Sequence, residues 1–198
     1  MIRSAILILA VCLTASWAYA SGPKSVVEER YKEIQQVIST EKEDAAVQKK
    51  VTAVLERFTD FEEFGRLTMK RFWKDLSKKQ RALFVSKYRL LIHRSYSKRF
   101  KANQKLELSF RGDAEVIGNK ALVKTTVLSG KSEAEVDYKL HKKGDSFMAY
   151  DIVFDEVSLM RNYRKQFKRI MKKDGFKTLI DKMTKKIEES SSNDIDDP

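Results

Sequence analysis

Two aspartates, Asp151 and Asp155, flank Val153 on one side of the alternating segment YDIVF at residues 150–154. Paired carboxylates can exchange protons with a substrate, but only beside a partner base, nucleophile or metal ion. The sequence offers none of these. The two histidines, His93 and His141, lie far apart in sequence. Ser97 stands where a second ligand would follow His93 at helical spacing, and His141 sits at a strand end beside Lys142 and Lys143. Neither has metal-ligand spacing. Cys12 is the only cysteine and lies in an apolar leader. No GxSxG, HExxH, Walker or GxGxxG pattern occurs, and the seven glycines leave no loop rich enough to cradle a phosphate. No catalytic residue, no metal site and no cofactor is expected, and the aspartate pair reads as the solvated face of an edge region.

Aromatic side chains are the prominent feature. Phe58, Phe61, Phe64, Phe72, Trp73, Phe84, Tyr88, Tyr96 and Phe100 fall within 43 residues. Tyr138, Phe147, Tyr150 and Phe154 follow in a strand-like region. Each alone reads as a core residue. Large side chains framing a sheet under a helical cover can also leave a deep apolar pocket. A filled core and a hollow one have the same apolar periodicity, so both stay open on these grounds.

The elements that would position these residues run helices, strands, helices. A first helix spans about Lys24 to Ser39, with Val27, Tyr31, Ile34 and Ile38 on one face. Thr40 with Glu43, Asp60 with Glu63, and Ser77 with Gln80 have the spacing of capping boxes and open three further helices. The last of these runs to about Lys101. From Leu106 the period becomes two: LELSF, EVI, ALVKTTVL, EAEVDYKLH and SFMAYDIVF are separated by turns at Gly112, Gly118, Gly130 and Gly144. Four main strands joined by short turns predict an antiparallel meander with one buried face. After Phe154 the apolar residues recur as Leu159, Tyr163, Phe167 and Ile170, a helix face with Ser158 as its N-cap. Gly175 separates it from a final helix ending near Glu189. Strands segregated from helices mean α+β, a twisted antiparallel sheet of about four strands wrapped by N- and C-terminal helices.

Residues 1–20 read as a secretory signal peptide: Arg3, an apolar run from Ala5 to about Trp17, and Ala18-Tyr19-Ala20 before a cut at Ser21. The run is shorter than the roughly 20 apolar residues that span a bilayer. Residues 21–189 then form a single domain, and 190–198 an acidic, disordered tail. Without the leader the formal charge is +11, and near +16 for the body before Glu188. A basic exported body fits an anionic membrane surface or an acidic protein partner. Export argues against nucleic acid, and the aromatics follow buried faces rather than a stacking surface.

Residues 60–92 and 150–183 resemble the toluene-tolerance, Ttg2D/MlaC family. The carrying elements are Phe72-Trp73, the helix start Ser77-Lys78-Lys79-Gln80-Arg81, Tyr150-Asp151-Ile152-Val153 running through Val157-Ser158-Leu159 into Asn162-Tyr163-Arg164, and the Gly175-Phe176 break. The family's helix start carries a proline where Lys78 stands here. The resemblance implies a periplasmic phospholipid shuttle with an apolar cavity between sheet and helices. It also implies two partners, an outer-membrane lipoprotein complex and an inner-membrane ABC transporter complex with a lipid-binding MCE-domain protein, with transient membrane-surface contact. Face assignment and resemblance together assign the lipid-binding wall to Phe72, Trp73, Tyr88, Leu91, Ile92, Tyr96, Tyr138, Val153, Val157, Leu159, Tyr163 and Phe167. The competing reading is an exported, non-enzymatic adaptor with a filled core that binds acidic partners.

Overall fold

The computed structural model describes residues 22–192, with side chains through residue 189. The segment expected as a signal peptide, residues 1–20, and the end of the expected tail lie outside the described residues. Two of the three capping-box pairs act at helix starts. Ser77 Oγ accepts from the Gln80 amide at 3.2 Å while Gln80 Oε1 accepts from the Ser77 amide at 2.9 Å, a complete capping box for α5 (Lys78–Tyr96). Asp60 accepts from the Glu63 amide at the start of α3 (Phe61–Met69), but Glu63 turns to Arg66 at 2.6 Å, so this box is half made. Thr40 does not cap α2 (Asp44–Phe58). It is the last residue of α1 (Pro23–Thr40), its hydroxyl donates back to Gln36 O at 2.8 Å, and Glu43 takes the N-cap place. A short α4 (Phe72–Asp75) precedes α5. α5 ends before Lys101: a 3-10 turn at Ser97–Arg99 follows, and Phe100 is extended to lead into the sheet.

The sheet holds six strands: β1 (Leu106–Phe110), β2 (Glu115–Ile117), β3 (Lys120–Ser129), β4 (Ser132–Lys143), β5 (Ser146–Phe154) and β6 (Val157–Ser158). All pairs are antiparallel, in the order β1-β3-β4-β5-β6. β2 also pairs with β3, so β1 and β2 form one edge interrupted at Gly112. The inner face carries Leu108, Val123, Val127, Val136, Tyr138 and Ile152; the outer carries charged pairs such as Arg111 with Asp137 at 2.5 Å and Lys124 with Glu115 at 2.6 Å. This is the one-wet-face sheet that alternation predicts. A β-bulge interrupts the β4–β5 register: Lys139 pairs with Asp151 and Leu140 with Ala149, which leaves Tyr150 as the extra residue.

Two helices close the chain, α6 (Leu159–Lys173), capped by Ser158, and α7 (Gly175–Ser192). Gly175 holds φ +77, a left-handed value that suits the break between them. α7 runs three residues into the stretch expected as tail. The apolar residues form three packed clusters. Phe84, Tyr88, Phe167 and Leu179 centre one among α3, α5, α6 and α7. Val27, Phe58, Val123 and Leu140 join α1 and α2 to the sheet. Ile38, Val47 and Val51 join α1 to α2.

Candidate functional site

A cavity of about 270 Å³ lies where the three clusters meet. Phe61, Phe64, Ile92 and Leu159 face it from the first. Val27, Phe58, Leu108 and Tyr138 face it from the second, and Ile34, Leu55, Phe100 and Leu106 from the third. Its floor is the inner face of the sheet, continued by Val127, Val136, Ile152 and Phe154. The lining is mostly apolar, with Arg30, Thr59 and His93 as polar members of the walls and further polar residues at one end. There Arg99 of the 3-10 turn and Ser132 and Glu133 of the β3–β4 hairpin border the cavity, all exposed, and this end is the mouth. Tyr96 and Phe154 stack there at 5.8 Å with rings 5° from parallel. The Arg99 guanidinium lies 5.2 Å from the first ring and 5.8 Å from the second.

Polar groups in the wall are few and held. Tyr138 keeps accessible surface although it lies deep in the protein, because that surface faces the cavity. Burial pushes its phenol up to about 12, and does the same to Tyr96. His93 is 8% exposed, with Nε2 2.6 Å from Glu56 Oε1 and its ring 5.2 Å from Phe61. Its Nδ1 has no hydrogen-bond partner. Burial lowers its pKa, against the opposing hydrogen bond to Glu56. Nothing in this wall forms a nucleophile–base pair. Among the described residues no group of three or more His, Cys, Asp or Glu is placed to hold a metal ion.

The wall residues expected from sequence separate into three sets. Ile92, Tyr96, Tyr138 and Leu159 line the cavity. Tyr88, Leu91, Tyr163 and Phe167 are buried in the helical cluster behind it. Tyr88 meets Phe64, Tyr163 and Phe167 edge-on at 5.2, 5.4 and 5.6 Å and stacks on Phe84 at 5.5 Å. Phe72, Trp73, Val153 and Val157 lie elsewhere. Phe72 borders a separate pocket, and Trp73 borders a surface groove with Arg81 over its ring at 5.4 Å. Val157 is 55% exposed in the hairpin leading to α6. Val153 pairs with Asp137 on the outer face of the sheet. The physical reason is the period of two: the face of Ile152 and Phe154 cannot also present Val153. Asp151 departs from the solvated-face expectation, being fully buried.

Wall residues outside the expected set include Val27, Tyr31 and Ile34 of α1, Phe58, and Ile152 with Phe154. Their signal was in the sequence: one helix face for the α1 residues and one strand face for the last two. What the sequence lacks is any mark that these faces enclose a gap.

The fold has a solved counterpart. The phospholipid-binding protein from Ralstonia solanacearum, whose structure was determined in complex with a phospholipid, superposes with a TM-score of 0.72 at 20% sequence identity, covering 84% of this chain and 97% of that one. Comparison with curated proteins returns no match. The family model described as MlaC protein matches residues 24–185, and the chain belongs to the MlaC family.

Proposed function

We propose that this chain is a phospholipid carrier rather than an enzyme. The apolar cavity between the inner sheet face and the helices takes acyl chains and leaves the headgroup at the Arg99 mouth. The observation that carries this reading is the cavity itself, mostly apolar in its walls and with an exposed polar end. Membership of the MlaC family and the fold shared with a protein solved with a phospholipid support it. The physical need is plain. A two-tailed lipid has about 30 methylenes at roughly 0.8 kcal/mol each, so bare transfer through water costs on the order of 20 kcal/mol. A carrier meets that need with burial alone and requires no catalytic group.

The cavity, about 270 Å³, lies just below the roughly 300–1,000 Å³ range of ligand sites. Loading therefore parts its walls. α1 is tied to the start of β1 by two side-chain hydrogen bonds, from Tyr31 to Leu106 O at 2.6 Å and from Gln35 to the same oxygen at 3.0 Å. In the full proposal the leader directs the chain to the periplasm. There it shuttles phospholipid between an outer-membrane lipoprotein complex and an inner-membrane ABC transporter with its MCE-domain protein. The basic body steers these encounters.

Mass spectrometry of an organic extract of the purified chain, with a native mass beside it, tests the first step. A near-stoichiometric phospholipid, present also as added mass on the intact protein, is the expected result. A folded, lipid-free chain that takes up no lipid from vesicles would overturn it in favour of an adaptor.

A further inference from the structure

A second recess, about 230 Å³, lies on the far side of the helical cluster and shares no lining residue with the apolar cavity. Its floor is apolar, made by Met69, Phe72 and Phe167. Four cations surround it: Lys70 and Arg71 from the turn between α3 and α4, and Arg164 and Lys168 one helical turn apart on α6. No carboxylate lines it. Among the described residues Lys70, Arg71 and Lys168 have no ion-pair partner, although this chain pairs many of its other surface cations.

Two details make this more than a stretch of basic surface. The Arg164 guanidinium is fixed in plane, donating to Leu67 O from Nε at 3.1 Å and from Nη2 at 2.7 Å. Lys70 holds φ 50 and ψ −115, a conformation that glycine adopts freely and a lysine does not. The turn thus keeps a cation where backbone geometry favours glycine. Like charges bordering one recess repel each other, and a bound anion lessens that repulsion. Several cations supplied by two elements suit an oxyanion with more than one charge better than a single carboxylate.

We propose that the recess between the α3–α4 turn and α6 is a phosphate-binding site, formed by Lys70, Arg71, Arg164 and Lys168 and independent of the apolar cavity. The phosphate is that of a phospholipid headgroup at a membrane surface or free phosphate. The two share the chemistry and differ in source.

The test is a titration of the folded chain with inorganic phosphate at low salt, followed by amide NMR and calorimetry. It is repeated on Lys70→Gly, Lys168→Ala and, as a control at a distant hairpin, Lys131→Ala. Saturable binding is expected, with shifts confined to residues 68–72 and 164–168. Each of the first two substitutions should weaken it by about three- to fivefold, the scale of an exposed charge contact. Lys131→Ala should leave it unchanged. Lys70→Gly should keep or raise the melting temperature, because glycine relieves the positive φ, so its loss of binding cannot be ascribed to unfolding. Vesicles containing phosphatidylglycerol separate the sources. If both substitutions also weaken vesicle binding, the site reads headgroups. If vesicle binding is unchanged while phosphate binding is lost, it reads free phosphate. The proposal is overturned by absence of saturable phosphate binding, by equal weakening in Lys131→Ala, or by a poly-glutamate peptide binding through these residues when phosphate does not.

Discussion

The Asp151 carboxylate accepts a hydrogen bond from Ser158 Oγ at 2.6 Å, and through it the last long strand is tied to the first turn of α6. Asp151 also accepts from the Met160 amide at 3.0 Å and from Lys139 Nζ at 3.3 Å. Ser158 Oγ in turn accepts from the Arg161 amide at 3.1 Å, so one hydroxyl caps the helix and anchors it to the strand. Between them the chain reverses through Asp155 and Glu156, with φ 43 and 66, the two positive values of a type I′ hairpin turn. Asp155 tolerates its place by accepting from the Glu135 amide at 2.9 Å while its own amide donates to Glu135 O. The junction orients α6 so that Leu159 enters the cavity wall and Tyr163 and Phe167 enter the core.

Asp151→Asn should therefore loosen both the cap and the cross-strand tie. The amide keeps the volume but supplies a donor where three donors already point. Hydrogen bonds to charged groups contribute about 1.5–3 kcal/mol, and we expect a loss of about 2–3 kcal/mol, seen as a fall in melting temperature of roughly 5–10 °C. An unchanged midpoint would mean that the carboxylate does not hold the junction.

Glu156→Gly should act in the opposite direction. Glu156 carries a left-handed φ with no side-chain bond of the kind that Asp155 makes. Left-handed backbone costs an L-residue about 1–2 kcal/mol, and Asp-Gly is a favoured I′ pair. The expected gain is about 1 kcal/mol, measured by urea unfolding with an unchanged slope.

Charges placed at Ile152 and Val157 should part the two faces of the junction. Ile152→Glu sets a carboxylate into the apolar floor, at a cost of several kcal/mol unless it reaches water; bound lipid should be lost in a chain that still shows a folded circular dichroism spectrum. Val157→Glu falls on an exposed side chain and should retain lipid at the wild-type ratio. Equal lipid in both variants would place the acyl chains outside this cavity.

These contrasts mark where the sequence was legible. Segments 106–110, 146–154 and 159–173 can be read to the residue because period and turn residues change together there. The inner face is equally legible in Ile152 and Phe154, and the same alternation keeps Val153 out of the wall. The bulge at Tyr150 and the burial of Asp151 were not legible, because each depends on what packs beside the strand: the α2–α3 junction, whose Asp60 amide donates to Ala149 O at 2.8 Å, and the start of α6. The hollow was illegible for a stronger reason. Phe58 or Ile92 would satisfy the same helical period whether the space before it were filled or open.

Arg99→Ala removes the only cation among the three exposed mouth residues. An exposed charge contact contributes up to about 1 kcal/mol, so retention of anionic phospholipid should fall by about three- to fivefold while that of zwitterionic lipid changes little. A competition assay with the two headgroups reads the ratio. An identical loss for both would assign Arg99 to packing on Tyr96 and Phe154 rather than to the headgroup.

Burial lowers the pKa of His93 from 6.5, so the folded chain resists a proton that the unfolded chain accepts. Stability should be level above pH 6.5, fall as pH drops below it, and level again beneath the folded value, by about 1.4 kcal/mol for each unit between the two. Asp60 adds a second, more acidic step. Its burial opposes ionisation, but the hydrogen bonds from Lys143 and the Glu63 amide, with the charges of Lys143 and His141, outweigh it and hold the carboxyl below 3.8. Its stabilisation is therefore present above pH 3.8 and lost as pH falls through the lower folded value. His93→Phe isolates the first step. The ring is kept beside Phe61, the unpartnered Nδ1 is gone, and Glu56 still has Arg89 at 3.5 Å. Urea midpoints from pH 8 to 5 should stay flat in this variant through the range where the wild type declines, and both should then fall together below pH 4. Parallel curves from pH 8 to 5 would remove His93 as the source of the first step.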